Sequence, residues 1–518
     1  MLSERATSQR LRELLERPAA NPLLVLARRP GVEVYVVGGA VRDALLGVTV
    51  TDLDLVVRGL PQPQLERILR RAGRVVLAGK RFGVIKFRAR GASESIDVAL
   101  PRSEQPTGRG GYRDVHVVAD HLLPIEQDLA RRDFTINAIA LNLQSGRQSG
   151  RLVDPFGGRA DLKAKLIRTV GDPAKRFSED YTRLLRAVRF AVQFGFGLER
   201  QTLQVLQQHA ADLPRTTAYP YPQGERLVAW ELIGREVGRM FFANAARAVD
   251  LLEQTKLLHE VLPEVDRLRT IKQDPKFHPE GDVLTHTKQA LLRLHQVEPG
   301  ASLTLILSVL LHDAGKATHV QIRDRKLGTT VNLSRPAEFF ASERYQPARQ
   351  RIMNIGHPAE SARIAQRIIK RLKLTQFRRD PQIGLDQMAI LHNLENHLLL
   401  DIENVRPARA EKILFYPDGR VRWDLLTLIK LDAGPGSDRP AKVFARVQKL
   451  LARKLDQAAE QQLPAPLLTG HDLKKMKVEP GPIYKVVLEA VRDAQLAGRV
   501  TDQAAARRVA KDLLARLR

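Results

Sequence analysis

The sequence predicts an α+β protein, in which an N-terminal α/β head is followed by a mostly α-helical neck and two further helical domains. Residues 1 to about 170 alternate short β-branched runs, typical of strands, with stretches whose apolar residues recur at helical spacing. Beyond residue 170 the helical spacing continues and β-branched runs become rare. The length of 518 residues favours three or four domains over one continuous core.

The elements of the head can be placed in order. A short helix rich in Arg and Glu precedes a strand at residues 34–37, and Gly38 and Gly39 then end that strand. The elements predicted after the glycines are a helix at 40–46, a strand at 52–57, an amphipathic helix near 65–71, and apolar runs at 74–78, 82–88 and 95–100.

Changes in composition divide the rest of the chain. The predicted domains are the head at residues 1–170, a helical neck at 171–270, a histidine-containing helical domain at 271–438, and a basic tail at 439–518. The tail has 17 Lys and Arg against 8 Asp and Glu, a local charge of +9. Pro464 and Pro466 separate its two helical stretches.

The charge of the chain indicates an acidic polymer as its partner. Lys and Arg number 84 against 58 Asp and Glu, which gives a net charge of +26, and RNA, DNA and an anionic membrane all fit this charge. The longest nearly apolar run, Leu303–Leu311, has about half of the ~20 residues that a membrane helix needs. We therefore expect no membrane partner. Residues 1–30 lack the apolar core of a secretory signal, so we expect a cytoplasmic protein.

The chain has no cysteine. This excludes disulfides, zinc fingers and thiol nucleophiles and fits a reducing compartment. Any metal site must use His, Asp and Glu, which favour hard or borderline divalent ions.

The strand at 52–57 carries the first candidate site. Alternate strand residues share a face, so Asp52 and Asp54 should point the same way, and two such carboxylates can hold two divalent ions such as Mg²⁺. Two-metal sites serve nucleotidyl transfer. The turn at Gly38 and Gly39 would let backbone amides approach a triphosphate, and Arg42 could add a bidentate phosphate contact. An Asp-x-Asp alone also occurs by chance in many chains.

The order of these residues closely resembles the bacterial and eukaryotic class of tRNA nucleotidyltransferases and bacterial poly(A) polymerases. The block at 128–138 is similar to that family's next motif, and the segment at 154–162 is similar to the one that joins head to neck. The resemblance implies that Arg131, Arg132, Asp133 and Asn137 face triphosphate and ribose. Asp97, on a later predicted strand, is either a third catalytic carboxylate or a surface strand residue.

The neck carries a possible reader of the nucleotide base. Asp180 and Arg183 lie three apart, hence on one helix face, and offer an acceptor beside donors. That edge suits cytosine and adenine, although an ordinary intrahelical ion pair has the same spacing. Residues 179–183 resemble the family's nucleotide-selecting motif, which favours the functional interpretation. Arg186 and Arg189 form either a solvated face or part of the nucleotide and RNA path.

The third domain carries a candidate metal site. Imidazoles and carboxylates from separate helices can ligate a divalent ion. The pattern resembles the HD phosphohydrolases, and the resemblance puts in the ligand positions His286, His312, Asp313 and Asp432.

Two further residues belong to this pattern. Lys316 could contact phosphate, and His357 is a possible additional member. Mn, Ni or Co would suit the mixed donor set. The alternative is a vestigial helical domain whose histidines only satisfy hydrogen bonds in the core.

The resemblance implies addition of CMP and AMP from CTP and ATP to the 3′ end of tRNA, with a possible phosphohydrolase activity in the third domain. The basic tail resembles a tRNA-contacting region. Two alternatives stay open: addition of A alone, to tRNA or as polyadenylation, and a non-catalytic protein that binds RNA or senses nucleotides. The sequence carries no signal of an oligomeric state.

Overall fold

The computed structural model describes residue 9 and residues 20–517, with gaps at 51, 79–83, 107–109, 112–113, 144–149, 217–223, 225, 276–277, 399–404, 434–436, 463–464 and 497. The expected first helix and Pro464 lie outside the described residues. The chain divides into two compact units: residues 1–398 with 423–437, and residues 399–422 with 438–518. Residues 399–422, which the sequence analysis assigned to the third domain, thus group with the tail.

A seven-stranded sheet forms the head. Its order is β3-β4-β5-β2-β1-β8-β9, where β1 is Glu33–Val37, β2 Asp54–Arg58, β3 Gly73–Ala78, β4 Val84–Ala89, β5 Ile96–Ala99, β8 Ala140–Asn142 and β9 Leu152–Val153. β6 (Arg102–Pro106) and β7 (Val115–Ala119) form a separate hairpin. The head helices are α1 (Asn21–Leu26), α2 (Gly39–Leu46), α3 (Gln62–Ala72), α4 (Ile125–Ala130) and α5 (Gly158–Ala164).

The burial of the strands explains this sheet. Four of the five residues of β1 are buried, as expected for a central strand covered on both faces. In β4 buried and exposed residues alternate, because only one of its faces meets the core. β2 begins at Asp54, so Asp52 precedes the strand, and the prediction that both aspartates are alternate residues of one strand is wrong.

The neck is helical, as predicted. Its elements are β10 (Leu166–Ile167), α6 (Pro173–Glu179), α7 (Thr182–Phe194), β11 (Gly197–Leu198), α8 (Arg200–His209), α9 (Trp230–Gln254), α10 (Leu257–Val261) and α11 (Pro263–Asp266). β10 and β11 form a short parallel pair. α9 is kinked at Asn244, where the backbone leaves helical geometry.

Six helices follow the neck within the first unit. They are α12 (Val283–Val297), α13 (Leu303–Leu311), α14 (Pro336–Phe340), α15 (His357–Arg371), α16 (Gln387–Asn396) and, after residues of the second unit, α18 (Trp423–Asp432). All nine residues of α13 are buried, so this helix lies at the centre of the region. A small sheet interrupts the helices, with the order β13-β12-β14 and the bounds Gln321–Asp324 for β12, Thr330–Asn332 for β13 and Gln350–Met353 for β14. The sequence analysis did not predict it.

The second unit is helical. Its helices are α17 (Pro407–Leu414), α19 (Arg439–Gln462), α20 (Gly470–Lys475), α21 (Pro482–Leu496) and α22 (Gln503–Leu517). A capping box between Thr469 and Asp472 starts α20, and a core that includes Leu473, Val487 and Ala510 holds the last three helices together. Among the described residues of the whole chain, no helix is long and apolar enough to cross a membrane.

A glycine in α9 is predicted to be required for stability. A methyl group on Gly234 would overlap with the backbone carbonyl of Leu372, which cannot move as a flexible side chain could. We expect Gly234→Ala to cost about 1–3 kcal/mol despite the better helix propensity of Ala. The exposed neighbouring Arg235→Ala is the control, and we expect a lower melting temperature only for the glycine variant. Equal melting temperatures would contradict the close packing.

Candidate functional site

The turn after β1 is shaped by one glycine. Gly38 has a φ of 71°, in the left-handed region that glycine adopts without strain, and α2 begins at the next residue. A Cβ atom on Gly38 would lie 2.6 Å from Nη1 of Arg132. Gly38 therefore allows the guanidinium of Arg132 to lie against the turn, so that two predicted phosphate-binding features are adjacent.

Three carboxylates lie near one end of β2, and we call Asp52, Asp54 and Asp97 the carboxylate edge. Asp54 and Asp97 are register partners in the parallel strands β2 and β5. Asp52 and Asp54 are exposed, and Asp97 is half-buried, with Lys86 3.3 Å from its carboxylate. Partial desolvation, followed by repulsion from Asp97 and Asp52, raises the pKa of Asp54 against the effect of Arg132.

The carboxylate edge fits a hard divalent cation. Carboxylate oxygens are the donors that Mg²⁺ prefers, and a bound cation would relieve the mutual repulsion of the three groups. The position of Asp97 beside Asp54 favours its interpretation as a third carboxylate of the site over that of an unrelated surface residue.

Arg131 and Arg132 are positioned by a carboxylate to which the sequence analysis gave no role. Asp128 is fully buried and accepts hydrogen bonds from Nε (3.0 Å) and Nη2 (2.9 Å) of Arg131 and from Nη2 of Arg132 (3.3 Å). Although burial opposes it, the two guanidinium groups lower the pKa of Asp128. Arg131 also donates to Glu104 at 2.6 Å. The buried position of an acid three residues before Arg131 was the available signal.

A chain of hydrogen bonds connects the turn after β1 to the neck. Nη1 of Arg42 donates to Oδ1 of Asn137 at 2.6 Å, and Nδ2 of Asn137 donates to Asp133 at 3.0 Å. Asp133 also accepts two bonds from Arg186 on α7, at 2.8 and 2.6 Å. Burial alone would raise the pKa of Asp133, but Arg186 and Asn137 hold it well below its usual range. Four predicted nucleotide-site residues are thus joined directly.

Arg189 is not on a solvated face. It is buried, and its Nε donates to Glu236 of α9 at 2.5 Å. Its guanidinium also lies 3.9 Å from the centroid of the Phe190 ring. Arg189 therefore ties α7 to α9, and its contact with nucleotide stays a prediction.

Asp180 and Arg183 do not pair with each other. Asp180 accepts hydrogen bonds from the backbone N and the hydroxyl of Thr182, at 2.9 and 2.6 Å. Arg183 donates to Glu179 at 2.6 Å and to backbone carbonyls. The intrahelical ion pair in this segment is thus Glu179 with Arg183, and Asp180 keeps capacity to accept further bonds.

An open cavity of about 280 Å³ lies beside Arg183. Its wall combines arginines with two carboxylates, contributed by β6, α4, α6 and α7: Glu104, Arg131, Arg176, Glu179 and Arg183. The sequence analysis gave no role to Arg176, whose Nη1 shares Glu179 with Arg183.

A second cluster lies in the helical region after the neck. We call it the histidine–aspartate centre, and its residues come from the ends of four helices and from within α12: His286, His312, Asp313, His357, His397 and Asp432. All six are buried. Ligand atoms of the four residues predicted from the sequence lie within 4.8 Å of one another. The structure thus brings together the predicted set, and it adds His397, which the sequence analysis missed.

The histidine rings have a fixed orientation. Nδ1 of His312, His357 and His397 lies 2.8, 2.6 and 2.7 Å from the carbonyl oxygen three residues earlier in the chain. Since a carbonyl only accepts, Nδ1 carries the proton, and the lone pair of each neutral ring is on Nε2. Nδ1 of His286 pairs instead with Glu280, at 2.6 Å. Such support is typical of metal-binding histidines.

The Nε2 atoms converge on the carboxylates without making hydrogen bonds. Those of His286 and His312 lie 3.5 and 3.4 Å from Asp432, and within the part of the chain that the structure describes neither has a hydrogen-bond partner. Lys316 is 2.7 Å from Oδ2 of Asp313, and its ammonium also donates to Gln273. Lys316 is therefore committed to Asp313 rather than directed at solvent.

The charges of the centre are unbalanced without a cation. Burial would lower the pKa of His312, but Asp313 and Asp432 raise it to about 10. In turn His312 holds the pKa of Asp313 well below its usual range despite burial. An imidazolium here supplies the positive charge that a divalent ion would bring, and the mixed nitrogen and oxygen donors fit a borderline ion.

Comparison with known proteins agrees with this architecture. Residues 34–168 match the family model described as the poly(A) polymerase head domain. A multifunctional CCA protein of Halorhodospira halophila is 39% identical over 289 residues, which cover 55% of this chain and 63% of the relative. One of Aromatoleum aromaticum is 33% identical over 400 residues, which cover 77% of this chain and 83% of the relative. The chain thus spans less than two thirds of the first of these relatives.

Solved structures share the fold. The CCA-adding enzyme of Thermotoga maritima complexed with tRNA has a TM-score of 0.52 and 21% identity, over 99% of both chains. A CCA-adding enzyme complexed with ATP has a TM-score of 0.51 and 22% identity, over 99% of this chain and 97% of the other. The head therefore defines the class, that of proteins with a poly(A) polymerase head domain. The chain belongs to the class II family of CCA-adding enzymes, as its similarity over most of the Aromatoleum relative shows.

Proposed function

We propose that this chain adds CMP and AMP, taken from CTP and ATP, to the 3′ end of tRNA and so builds or repairs the CCA terminus. The observation that carries the proposal is the adjacency of Asp54 and Asp97 on neighbouring strands, with Arg132 lying against the turn at Gly38. The names of its relatives, multifunctional CCA proteins, support the choice of product.

In the proposed reaction the terminal ribose hydroxyl oxygen attacks the α-phosphorus of the nucleotide. A P–O bond to the ribose forms, the bond to pyrophosphate breaks, and the hydroxyl proton leaves. Asp52 and Asp54, with Asp97, would hold Mg²⁺, which lowers the repulsion between the attacking oxygen and the phosphates. Arg132, beside Gly38, would bind the triphosphate.

Base selection is proposed for the neck. Asp180 would accept from the exocyclic amino group of cytosine or adenine, and Arg183 would donate to the neighbouring ring nitrogen. The hydrogen bonds to Glu179 and to backbone carbonyls hold the guanidinium of Arg183 in place, so that less conformational entropy is lost on binding.

Three tRNA substrates test this function. tRNA ending before the CCA, after the first C and after CC is each incubated with labelled CTP or ATP. The proposed function predicts CMP on the first two and AMP on the third. Incorporation of AMP alone would indicate A addition, and no incorporation would indicate a protein that only binds RNA or nucleotide.

The carboxylate edge is tested by removing its ligands singly. Asp52→Ala and Asp54→Ala are each expected to lower nucleotide incorporation at least about 100-fold, because the charge of the triphosphate is no longer neutralised. The affinity for tRNA should stay within a few-fold, since it comes from dispersed basic contacts. Incorporation is measured beside tRNA binding, with the exposed Asp120→Ala as control. Wild-type incorporation by either variant would refute the assignment.

The base-reading pair is tested by competition between nucleotides. Asp180→Ala and Arg183→Ala should relax the preference for CTP and ATP over UTP and GTP by roughly ten- to a hundred-fold, the value of one bidentate base contact. Arg176→Ala is the matched control, since Arg176 donates to the same oxygen of Glu179 as Arg183. If it relaxes the preference equally, the role of Arg183 is structural.

A second activity, hydrolysis of phosphoesters, is proposed for the histidine–aspartate centre. The observation that favours it is the set of buried Nε2 atoms directed at Asp313 and Asp432. His286, His312, Asp313 and Asp432 would hold a divalent ion such as Mn, Ni or Co, which supplies charge neutralisation at phosphate. Water attacks phosphorus, and the ester oxygen leaves.

The two activities should be separable. Replacing both His312 and Asp313 by Ala should abolish metal-dependent hydrolysis of phosphoesters, including a 2′,3′-cyclic phosphate at an RNA end, because two adjacent ligands are lost. Nucleotide addition should continue at the rate of the exposed control His295→Ala. Both activities are measured on one preparation. A wild type that hydrolyses no phosphoester and binds no metal would leave the centre as a scaffold only.

The second unit is proposed to contact tRNA phosphates. Its support is the set of exposed basic side chains on α20 and α22, which include Lys474, Lys475, Arg508 and Lys511. Such contacts add affinity without reading the base sequence.

A further inference from the structure

The carboxylate of Asp313 faces two groups of histidines. Its Oδ2 lies 3.2 Å from Nε2 of His312, on the side of the four residues already described. Its Oδ1 lies 3.1 Å from Nε2 of His357. Both oxygens are buried, and among the described residues neither has a partner that meets hydrogen-bond geometry. Asp313 thus presents one oxygen to each of two sets of nitrogen donors.

The second set consists of His357 and His397. The ligand atoms of Asp313, His357 and His397 lie within 4.8 Å of one another. The two rings are 5.3 Å apart between centroids, and the ring of His397 is 5.4 Å from that of His312. All three side chains are buried, so this arrangement is fixed by packing at the ends of α13, α15 and α16.

The orientation of these rings argues against ordinary core histidines. A histidine that only stabilises a core bonds through both nitrogens, because an unpaired buried polar atom costs about 1–3 kcal/mol. His357 and His397 bond only through Nδ1, to carbonyl oxygens, and in the described residues their Nε2 atoms have no hydrogen-bond partner. Both lone pairs therefore remain available to a Lewis acid near Oδ1 of Asp313.

We propose that Asp313, His357 and His397 form a second divalent metal site, with Asp313 bridging it to the metal of the four-residue site. This inference rests on the hydrolase activity proposed above and extends it from one metal to two. Two nitrogens and one carboxylate oxygen suit a borderline ion such as Mn²⁺, Co²⁺ or Ni²⁺. A second ion would let the centre neutralise both the attacking and the leaving oxygen of a phosphoester.

Metal counting on the full chain tests the second site. To exclude ions at the head, the protein carries Asp52→Ala and Asp54→Ala throughout. It is stripped with a chelator, loaded with Mn²⁺, freed of excess metal by gel filtration and analysed by plasma mass spectrometry. Two Mn²⁺ per chain are expected, together with the electron paramagnetic resonance spectrum of a coupled pair.

The variants His397→Gln and His357→Gln are each expected to lower the count from two to one and to abolish the coupled spectrum. His295→Gln, an exposed histidine on α12, should retain two. One Mn²⁺ per chain before mutation, unchanged in His397→Gln, would overturn the second site and leave the first standing. No bound Mn²⁺ would overturn both. If neither variant folds, the count and the spectrum of the parent protein decide alone.

Discussion

The buried carboxylate of Asp133 is the interaction on which the head and neck depend. It receives two hydrogen bonds from Arg186 of α7 and one from Asn137, which in turn binds Arg42 of α2. Truncating one partner of such a pair leaves the other charge buried and uncompensated, which is costly. The ion pair thus fixes α7, which carries Arg183, relative to the turn at Gly38, so that base and triphosphate would be recognised in one register.

The histidine–aspartate centre uses a different device for the same purpose. Helix ends leave carbonyl oxygens without intrahelical partners, and three of the histidines use a carbonyl from the last turn or the preceding loop to fix their rings. The surrounding helices are apolar, as the fully buried α13 shows. A polar centre can persist there because each ring has one satisfied nitrogen, and because Asp313 is compensated by His312 and Lys316.

Much of this could be predicted from the sequence, because strand periodicity and motif order are local. The strand ending at Gly38, the helix after it and the ligand set from His286 to Asp432 all follow from short patterns. The pairing of Asp133 with Arg186 spans 53 positions, and His397 joins the centre only through the packing of α16, so no local pattern reveals either. The sheet that includes β13 was missed because all three residues of this strand are exposed, which leaves no alternation to detect.

A double-mutant cycle on Asp133 and Arg186 tests the central claim most directly. kcat/KM for CTP and for ATP is measured in Asp133→Asn, Arg186→Gln and the double variant. If the pair acts as one positioning unit, the double variant loses no more than the worse single variant, with a coupling energy of about 0.5–3 kcal/mol. If the losses of the single variants multiply, the two residues act independently on the nucleotide, and the account of a head and neck fixed through Asp133 is contradicted.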